Sequence, residues 1–240
     1  MAVYTIASRK GGNAKTTTAQ SVAAGLVKTG KKVLLIDLDS QTNLSLLLNA
    51  SEDFPSVAEV MNGAPIEDAT QPTECGDLIR GNVAITRQEI NAGELRAALE
   101  PVKNKYDFIL IDTGAQIDAA LVAALIASDR VIITAQPDIL SAQGVTLLNG
   151  TIEAVRKHNK TLKGGILLTR YNPRSKTAQT IAAELEKMGG AIGAKLYTAK
   201  IRECTAVKDA QARQLDIYTY KRTSNAAKDY AQLIKEMERE

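Results

Sequence analysis

The chain has 240 residues, of which 45% are hydrophobic and 24% are charged. This length and composition can bury a sizeable core, and we expect a single domain over residues 1–240. No apolar run approaches the ~18 residues that a membrane span needs, and residues 1–5 lack the features of a secretion signal. Two cysteines, Cys75 and Cys204, and one histidine, His158, argue against a disulfide framework and a histidine-rich metal site.

Charge is distributed unevenly along the chain, although the net charge is only +3. Residues 1–150 carry 12 Lys+Arg against 17 Asp+Glu, whereas residues 151–240 carry 18 against 10. A basic carboxyl-terminal third facing an acidic remainder favours a polyanionic partner such as nucleic acid. Solvated helix faces alone also produce such runs.

Short β-rich apolar runs alternate with longer segments of helical period, which is the pattern of parallel βαβ units. Residues 50–80 contain Pro55, Pro65 and Pro72 and predict an irregular excursion with a short helix near Val57. We therefore expect an α/β fold with a doubly wound, mostly parallel sheet and helices on both faces. The predicted strands have few internal charges and lie at residues 3–8, 32–37, 107–112, 130–135 and 165–169.

Hydrophobic periodicity predicts three amphipathic helices. The first covers residues 19–27, and Gly30 is expected to end it as a C′ glycine. The other two cover residues 178–188 and 227–237. Packing against the core is the simplest interpretation of their apolar stripes.

A glycine-rich turn joins the first predicted strand to the first helix. Such a turn presents backbone N–H groups and the positive end of the helix dipole to a phosphate group. Lys15 would reach the β and γ phosphates, and the Thr16 hydroxyl would complete the shell of a Mg²⁺ ion. The strict pattern GxxxxGK[ST] is not met, because Arg9 and Ala14 occupy its two glycine positions. The turn reads Arg9-Lys10-Gly11-Gly12-Asn13-Ala14-Lys15-Thr16-Thr17.

This turn resembles the deviant Walker A motif KGGxGK[ST] of the ParA/MinD family of P-loop ATPases, with Ala14 as the exception. Residues 37–43 look like the DxDPQxN segment of that family, and residues 106–113 look like its Walker B strand. Residues 201–210 and 226–230 are similar to the partition branch of the family. The resemblance therefore spans nearly the whole chain.

Three aspartates, Asp37, Asp39 and Asp112, lie at or just beyond the carboxyl ends of predicted strands, where open α/β sheets assemble their sites. Any one of them could be a capping or solvated residue. Phosphoryl transfer mainly needs positioning and charge neutralisation, so carboxylates in register with a phosphate loop favour a site for metal and water.

The resemblance implies an ATPase that uses ATP and Mg²⁺, with Lys10, Lys15 and Asp39 as catalytic residues. Asp39 would help to place the hydrolytic water, and Thr16, Asp39 and Asp112 would serve the metal, Asp112 through a water. In the family, the lysine at the position of Lys10 touches the phosphates held by the partner subunit. Two triphosphates buried face to face need this extra cation from each side, so dimerisation should depend on ATP.

Asn172 follows the fifth predicted strand, where the family places a residue that contacts adenine. Its amide can both donate to and accept from the purine edge, although Pro173 predicts a turn here in either case. The candidate nucleotide-binding residues are Lys10, Gly11, Gly12, Asn13, Ala14, Lys15, Thr16, Thr17 and Asn172.

Partition ATPases bind DNA without sequence preference as ATP-bound dimers and release it after a partner stimulates hydrolysis. The resemblance thus implies a homodimer that sandwiches ATP, non-specific DNA as a partner, and a centromere-binding, ParB-like stimulating protein. The protein would lie in the cytoplasm on the nucleoid. Arg174 and Arg202 are favoured, because partition proteins carry DNA-contacting arginines in these segments. The full set of candidate DNA-binding residues is Arg174, Lys176, Arg202, Lys208, Lys221 and Arg222.

Two alternatives stay open. A MinD-like positioning ATPase would use a basic amphipathic helix at a membrane, but residues 235–240 contain three glutamates that anionic lipid would repel, so we expect no membrane partner. The other alternative is a nucleotide-gated binding protein with weak or no hydrolysis. Ala14, Ser40 and the Gly114-Ala115 pair depart from the family pattern and favour it.

Overall fold

The computed structural model describes residues 1–87, 89–191 and 193–240. Its strands belong to one sheet and are β1 (Ala2–Ala7), β2 (Val33–Leu38), β3 (Thr70–Thr73), β4 (Gly76–Ile79), β5 (Phe108–Thr113), β6 (Arg130–Ala135), β7 (Lys163–Tyr171) and β8 (Ala194–Arg202). The strand order is β3-β4-β2-β5-β1-β6-β7-β8. Neighbouring strands are parallel except for β3 and β4, which form an antiparallel hairpin at one edge.

Helices cover both faces of this sheet. The α-helices are α1 (Lys15–Lys28), α2 (Asn43–Leu47), α3 (Val57–Met61), α4 (Ile66–Ala69), α5 (Glu94–Leu99), α6 (Ala119–Ala127), α7 (Ile139–Arg156), α8 (Lys176–Ala191), α9 (Thr205–Ala212), α10 (Ile217–Lys221) and α11 (Asn225–Met237). Two 3₁₀ turns lie at Val83–Thr86 and Glu100–Val102. Helices α1 and α11 pack on one face, and α3, α5, α6, α7 and α8 pack on the other. The expected doubly wound, mostly parallel fold is confirmed.

The five predicted strands are present, with ends shifted by up to two residues. Helix α3 begins at Val57, as the sequence indicated, but the excursion around it also contains the β3–β4 hairpin, so the prediction of an irregular segment was wrong there. Strand β8 was not predicted, because Lys195, Thr198 and Lys200 interrupt its apolar residues. As an edge strand it needs only partial burial.

Helix α1 ends as the sequence predicts. Gly30 has a φ of +83°, its N–H donates to the carbonyl of Val27 at 2.9 Å, and the N–H of Lys31 donates to the carbonyl of Leu26 at 3.1 Å. This is a Schellman motif, in which a C′ glycine takes the left-handed conformation. The prediction for Gly30 is confirmed. At its other end, α1 begins at Lys15, directly after the glycine-rich turn.

Gly25 lies in α1 where side chains of α10 and α11 pack closely against the helix. A Cβ at this position would overlap Ile234 Cδ1 and lie 2.7 Å from the hydroxyl of Tyr218. We expect Gly25→Ala to lower the free energy of unfolding by ~1–3 kcal/mol through overpacking, although alanine is the better helix former. Urea denaturation measures the change.

Gly150 provides the matched control. It also lies inside a helix, α7, but a Cβ there meets nothing within 4 Å. Gly150→Ala should therefore raise the free energy of unfolding by ~0.5–1 kcal/mol. Equal effects of the two substitutions would contradict the tight contact between α1 and α11.

Candidate functional site

A cavity of about 640 Å³ opens where the carboxyl ends of several strands meet. Its walls are contributed by residues 11–17 after β1, 38–47 after β2, 114–118 after β5 and 201–211 at and after the end of β8. Parallel strands place their carboxyl ends on one edge of the sheet, which explains why segments far apart in sequence converge here.

The glycine-rich turn passes through two left-handed residues before α1 begins. Gly12 has a φ of +79°, and Ala14 has φ 63° and ψ 32°. The left-handed conformation costs an L-residue with a Cβ ~1–2 kcal/mol, whereas glycine adopts it freely. The chain thus forms the turn despite the methyl group of Ala14, at a cost in conformational energy. Six residues of the turn line the cavity, namely Gly11, Gly12, Ala14, Lys15, Thr16 and Thr17.

Asn13 holds the turn from within. Its side chain is buried, and Nδ2 donates to Ser8 Oγ at 2.8 Å and to the Thr134 carbonyl at 3.3 Å. Thr169 Oγ1 donates to the Asn13 carbonyl at 3.2 Å. The side chain of Asn13 is therefore committed to the protein interior, and Asn13 is absent from the cavity lining.

Lys10 lies at the entrance of the turn and outside the cavity lining. Its ammonium group forms an ion pair of 2.8 Å with Asp138, which also caps α7 by accepting from Ser141 N at 2.8 Å. Partial burial acts to raise the pKa of Asp138, but hydrogen bonds from Lys10 and Ser141 hold it below its ordinary value. A second contact joins the turn to the segment after β6, because Gln136 Nε2 donates to the Gly12 carbonyl at 3.0 Å.

Two buried carboxylates face each other across β2 and β5, where Asp37 and Asp112 are register partners. Asp37 accepts from Ser45 N at 2.8 Å and from Ser45 Oγ at 2.6 Å. Burial raises the pKa of Asp37 to about 6. Asp112 is fully buried, and among the described residues neither of its carboxylate oxygens has a hydrogen-bond partner.

Burial, and after it the carboxylate of Asp37, raises the pKa of Asp112 well above its ordinary value, while Thr16 and Lys15 act in the opposite direction. An unpaired buried carboxylate is a costly arrangement unless a ligand compensates it. Asp39 lines the same cavity, and its Oδ1 accepts from Gln41 N at 3.0 Å.

The donor set Thr16, Asp39 and Asp112 suits Mg²⁺. Within the described parts of the chain, no group of three or more His, Cys, Asp or Glu could hold a metal ion alone. Magnesium usually takes one or two protein carboxylates and completes its shell with water and substrate phosphates. The unpartnered Asp112 carboxylate therefore fits an ion that arrives with a nucleotide.

The residues that line the cavity after β7 and in α9 differ from those that the sequence predicted. Asn172 is exposed, is absent from the lining, and accepts from Arg174 N at 3.0 Å within a turn. Arg170, with a φ of 47°, lines the cavity, and the contact of Asn172 with adenine stays a prediction. Gln211, which sequence reasoning missed, donates from Nε2 to Thr17 Oγ1 at 2.9 Å. No motif pointed to Arg170 or Gln211.

The six candidate DNA-binding residues fall into two groups. Arg174, Lys176, Arg202 and Lys208 lie at or after the carboxyl ends of β7 and β8, on the edge that carries the cavity. Arg202 is held by Asp229 through Nη2 at 2.6 Å and Nε at 2.9 Å.

The other two candidates end α10, which lies beside the last turn of α1, where Lys28 Nζ donates to Thr219 Oγ1 at 3.3 Å. Five of the six candidates are exposed, and Arg202 is half-buried. The structure therefore does not bring all six into one patch. The two residues of α10 are Lys221 and Arg222.

Comparison with known sequences finds a matching family model and relatives that align over nearly the whole chain. A family model described as an AAA domain matches residues 1–164. The chain is 31% identical to the chromosome partitioning protein ParA of Caulobacter vibrioides, over 98% of this chain and 93% of the relative. It is 30% identical to the sporulation initiation inhibitor protein Soj of Bacillus subtilis, over 98% of this chain and 97% of that protein.

Solved structures share the fold over the full length. McdA from Cyanothece superposes with a TM-score of 0.87 at 21% identity and covers 98% of both chains. The cell division ATPase MinD of Pyrococcus furiosus has a TM-score of 0.81 at 25% identity, covering 99% and 98%. Cobyrinic acid a,c-diamide synthase of Mycobacterium smegmatis, with bound ATP analogue and magnesium, has a TM-score of 0.82 at 25% identity, covering 100% and 95%.

Ala14→Gly tests the strain in the turn. Because glycine takes a positive φ without cost, we expect the substitution to raise the free energy of unfolding by ~1 kcal/mol in the absence of nucleotide. The matched control is Ala154→Gly, at an exposed residue in the last turn of α7, which should lower it by up to ~0.5–1 kcal/mol through helix propensity. If both substitutions destabilise in urea denaturation, the loop is not strained at Ala14.

Proposed function

This chain belongs to the ParA/MinD family of P-loop ATPases, and we propose that it is a DNA-partition ATPase that binds and hydrolyses ATP. The observation that carries the proposal is the fully buried carboxylate of Asp112, which lies close enough to Thr16 and Lys15 for both to lower its pKa, while these two residues line the cavity. This combination of charges calls for both a cation and an anion, as Mg²⁺ and a triphosphate provide.

In the proposed reaction, a water oxygen attacks the γ-phosphorus while the bond to the bridging oxygen breaks, which releases ADP and phosphate. The backbone N–H groups of the turn and the positive end of the α1 dipole hold the phosphates, and Lys15 neutralises their charge. Asp39 orients the attacking water. Mg²⁺, held by Thr16, Asp39 and Asp112, would neutralise charge that develops on the phosphate oxygens.

We further propose that ATP joins two copies of the chain. Lys10 would leave Asp138 and contact the phosphates held by the partner, which explains why it is absent from its own cavity lining. Apolar side chains near this lysine support a covered face, since Ile139 is 68% exposed and Leu140 is 64% exposed at the start of α7. Both follow directly after Asp138.

DNA binding would follow from this dimer. Arg174, Lys176 and Lys208 are exposed on the edge that carries the nucleotide, so a second copy would double the phosphate contacts. Arg202 would contribute less, because Asp229 holds its guanidinium group. Hydrolysis, stimulated by a ParB-like partner, would separate the copies and release the DNA, which gives a nucleoid-associated cycle in the cytoplasm.

A membrane-bound mode of action has less support. None of the described helices is long and apolar enough to cross a membrane. The apolar residues of α11, among them Tyr230 and Leu233, are buried against the sheet and α1 and are unavailable to lipid.

Lys15→Ala and Asp39→Ala test the catalytic assignment. Each should lower ATP turnover by on the order of a hundredfold or more, because charge neutralisation or water positioning is lost. Asp39→Ala should retain nucleotide binding, whereas Lys15→Ala should lose it. The exposed residues Lys32 and Asp68 provide the controls Lys32→Ala and Asp68→Ala. Wild-type turnover at the level of buffer, with nucleotide still bound, would instead favour a nucleotide-gated binding protein.

Arg174→Glu tests the DNA face. Retention on duplex DNA of arbitrary sequence should require ATP, and the substitution should weaken it by roughly tenfold at physiological salt. Arg96→Glu, an equal charge reversal at an exposed residue of α5, should have little effect. Equal retention with ATP, ADP and no nucleotide would contradict the switch, and ATP-dependent binding to anionic liposomes in its place would favour a MinD-like protein.

A further inference from the structure

A second cluster of cations lies at the amino ends of the strands, on the edge opposite to the nucleotide cavity. Arg130 and Lys163 begin β6 and β7 as register partners, and Lys195 lies one strand further, at the start of β8. We call these three residues with Tyr197 the basic cradle. They line a cavity of about 360 Å³. Strands of six to nine residues separate it from the nucleotide cavity by roughly 20 Å.

The basic cradle already holds a carboxylate, that of Glu240. Arg130 Nη1 lies 3.1 Å from Glu240 Oε2, Lys195 Nζ pairs with Oε1, and the buried Tyr4 hydroxyl donates to Oε2 at 3.3 Å. The side chain of Glu240 is only 8% exposed. Arg130 Nη2 also donates to the main-chain oxygen of Glu240 at 2.6 Å, so Arg130, Lys195 and Tyr4 together hold the oxygen atoms of this residue.

The three cations of the cradle pair unequally with carboxylates. Arg130 and Lys195 pair with the Glu240 side chain, and Arg130 also contacts the main-chain oxygen of Glu240, whereas no acidic side chain of the described residues lies within ion-pair distance of Lys163. Two further carboxylates lie near the cradle and accept from backbone N–H groups, Asp129 from Val3 N at 2.8 Å and Glu236 from Ala199 N at 2.7 Å, and neither forms an ion pair with Lys163. An anion with more oxygens and more charge than a carboxylate would satisfy the cluster better.

The floor of the cradle is rigid and shaped by small residues. A Cβ at Gly165 would lie 2.5 Å from the Tyr197 ring, so only glycine lets this ring lie against β7. The Lys195 ammonium sits 4.7 Å above the centre of the same ring, as a cation–π contact. The buried Tyr197 therefore fixes one cation of the site.

We propose that the basic cradle is a second phosphate-binding site, in which the Glu240 carboxylate takes the place of the ligand. A phosphate would receive the Arg130 guanidinium fork, the Tyr4 hydroxyl and Lys195, and would in addition engage Lys163. Ligand and Glu240 compete for the same donors. The phosphate comes either from a nucleic acid backbone or from a free phosphorylated molecule.

Pyrophosphate titration of the nucleotide-free full chain tests the proposal. Glu240→Gln removes the competing charge and should tighten pyrophosphate binding at least fivefold over the control Glu238→Gln, whose side chain points to Lys31 at 4.0 Å. Any binding at the nucleotide cavity is common to both variants and cancels in the comparison. Circular dichroism checks folding, and Glu240→Ala serves as a second variant with the same expected gain.

Lys163→Gln in the Glu240→Gln background should abolish the gain, whereas Lys160→Gln, at an exposed lysine outside the cradle, should not. A short DNA duplex replaces pyrophosphate in a parallel series: a gain with both probes assigns backbone phosphates, and a gain with pyrophosphate alone assigns a free phosphate. Equal affinities of the Glu240 and Glu238 variants for both probes, or a gain that survives Lys163→Gln, would overturn the proposal. The test uses no ATP, so it is independent of the proposed partition function.

Discussion

Asn13 and Ala14 hold the turn between β1 and α1 in one conformation, because a buried amide fixes its inner side while a left-handed residue directs the chain into the helix. The direction of α1, the N–H groups that face the cavity and the position of Lys15 all follow from this geometry. The same turn reaches α7, since Lys10 pairs with Asp138. The turn is therefore linked by an ion pair to the start of α7, where the exposed apolar residues lie.

The buried pair Asp37 and Asp112, in contrast to the turn, has carboxylate oxygens whose hydrogen-bonding capacity the protein only partly fills. Ser45 compensates Asp37 with two hydrogen bonds, and Asp112 receives none from the described residues. Both carboxylates lie in central strands, where apolar side chains would stabilise the fold more. Residues that lower stability in the absence of a ligand are typical of binding sites, because the ligand recovers the energy.

Sequence patterns predicted the features that depend on residues close together in the sequence. Central strands such as β6 were evident because they are covered on both faces, whereas β8 was missed because an edge strand tolerates Lys195 among its apolar residues. Although the strict spacing pattern is not met, the phosphate turn was found from its place between a strand and a helix and from its resemblance to the deviant Walker A motif. Its partners were not, because Asp138 meets Lys10 across 128 positions of sequence and only the folded sheet makes them neighbours.

Helix dipoles offer a simpler explanation for the cations of the basic cradle. Each of β6, β7 and β8 follows a helix, and cations near helix carboxyl termini are favourable. That explanation accounts for solvent-exposed lysines at this edge. It does not account for the position of Glu240, because the negative ends of the same helices would repel its carboxylate. The Glu240 side chain is 8% exposed and contacts a guanidinium group, an ammonium group and a buried hydroxyl, which is the set of donors that an oxyanion site provides. The two proposed anion sites thus lie at opposite edges of the sheet and differ in their donors, which are backbone N–H groups at one and side-chain cations at the other.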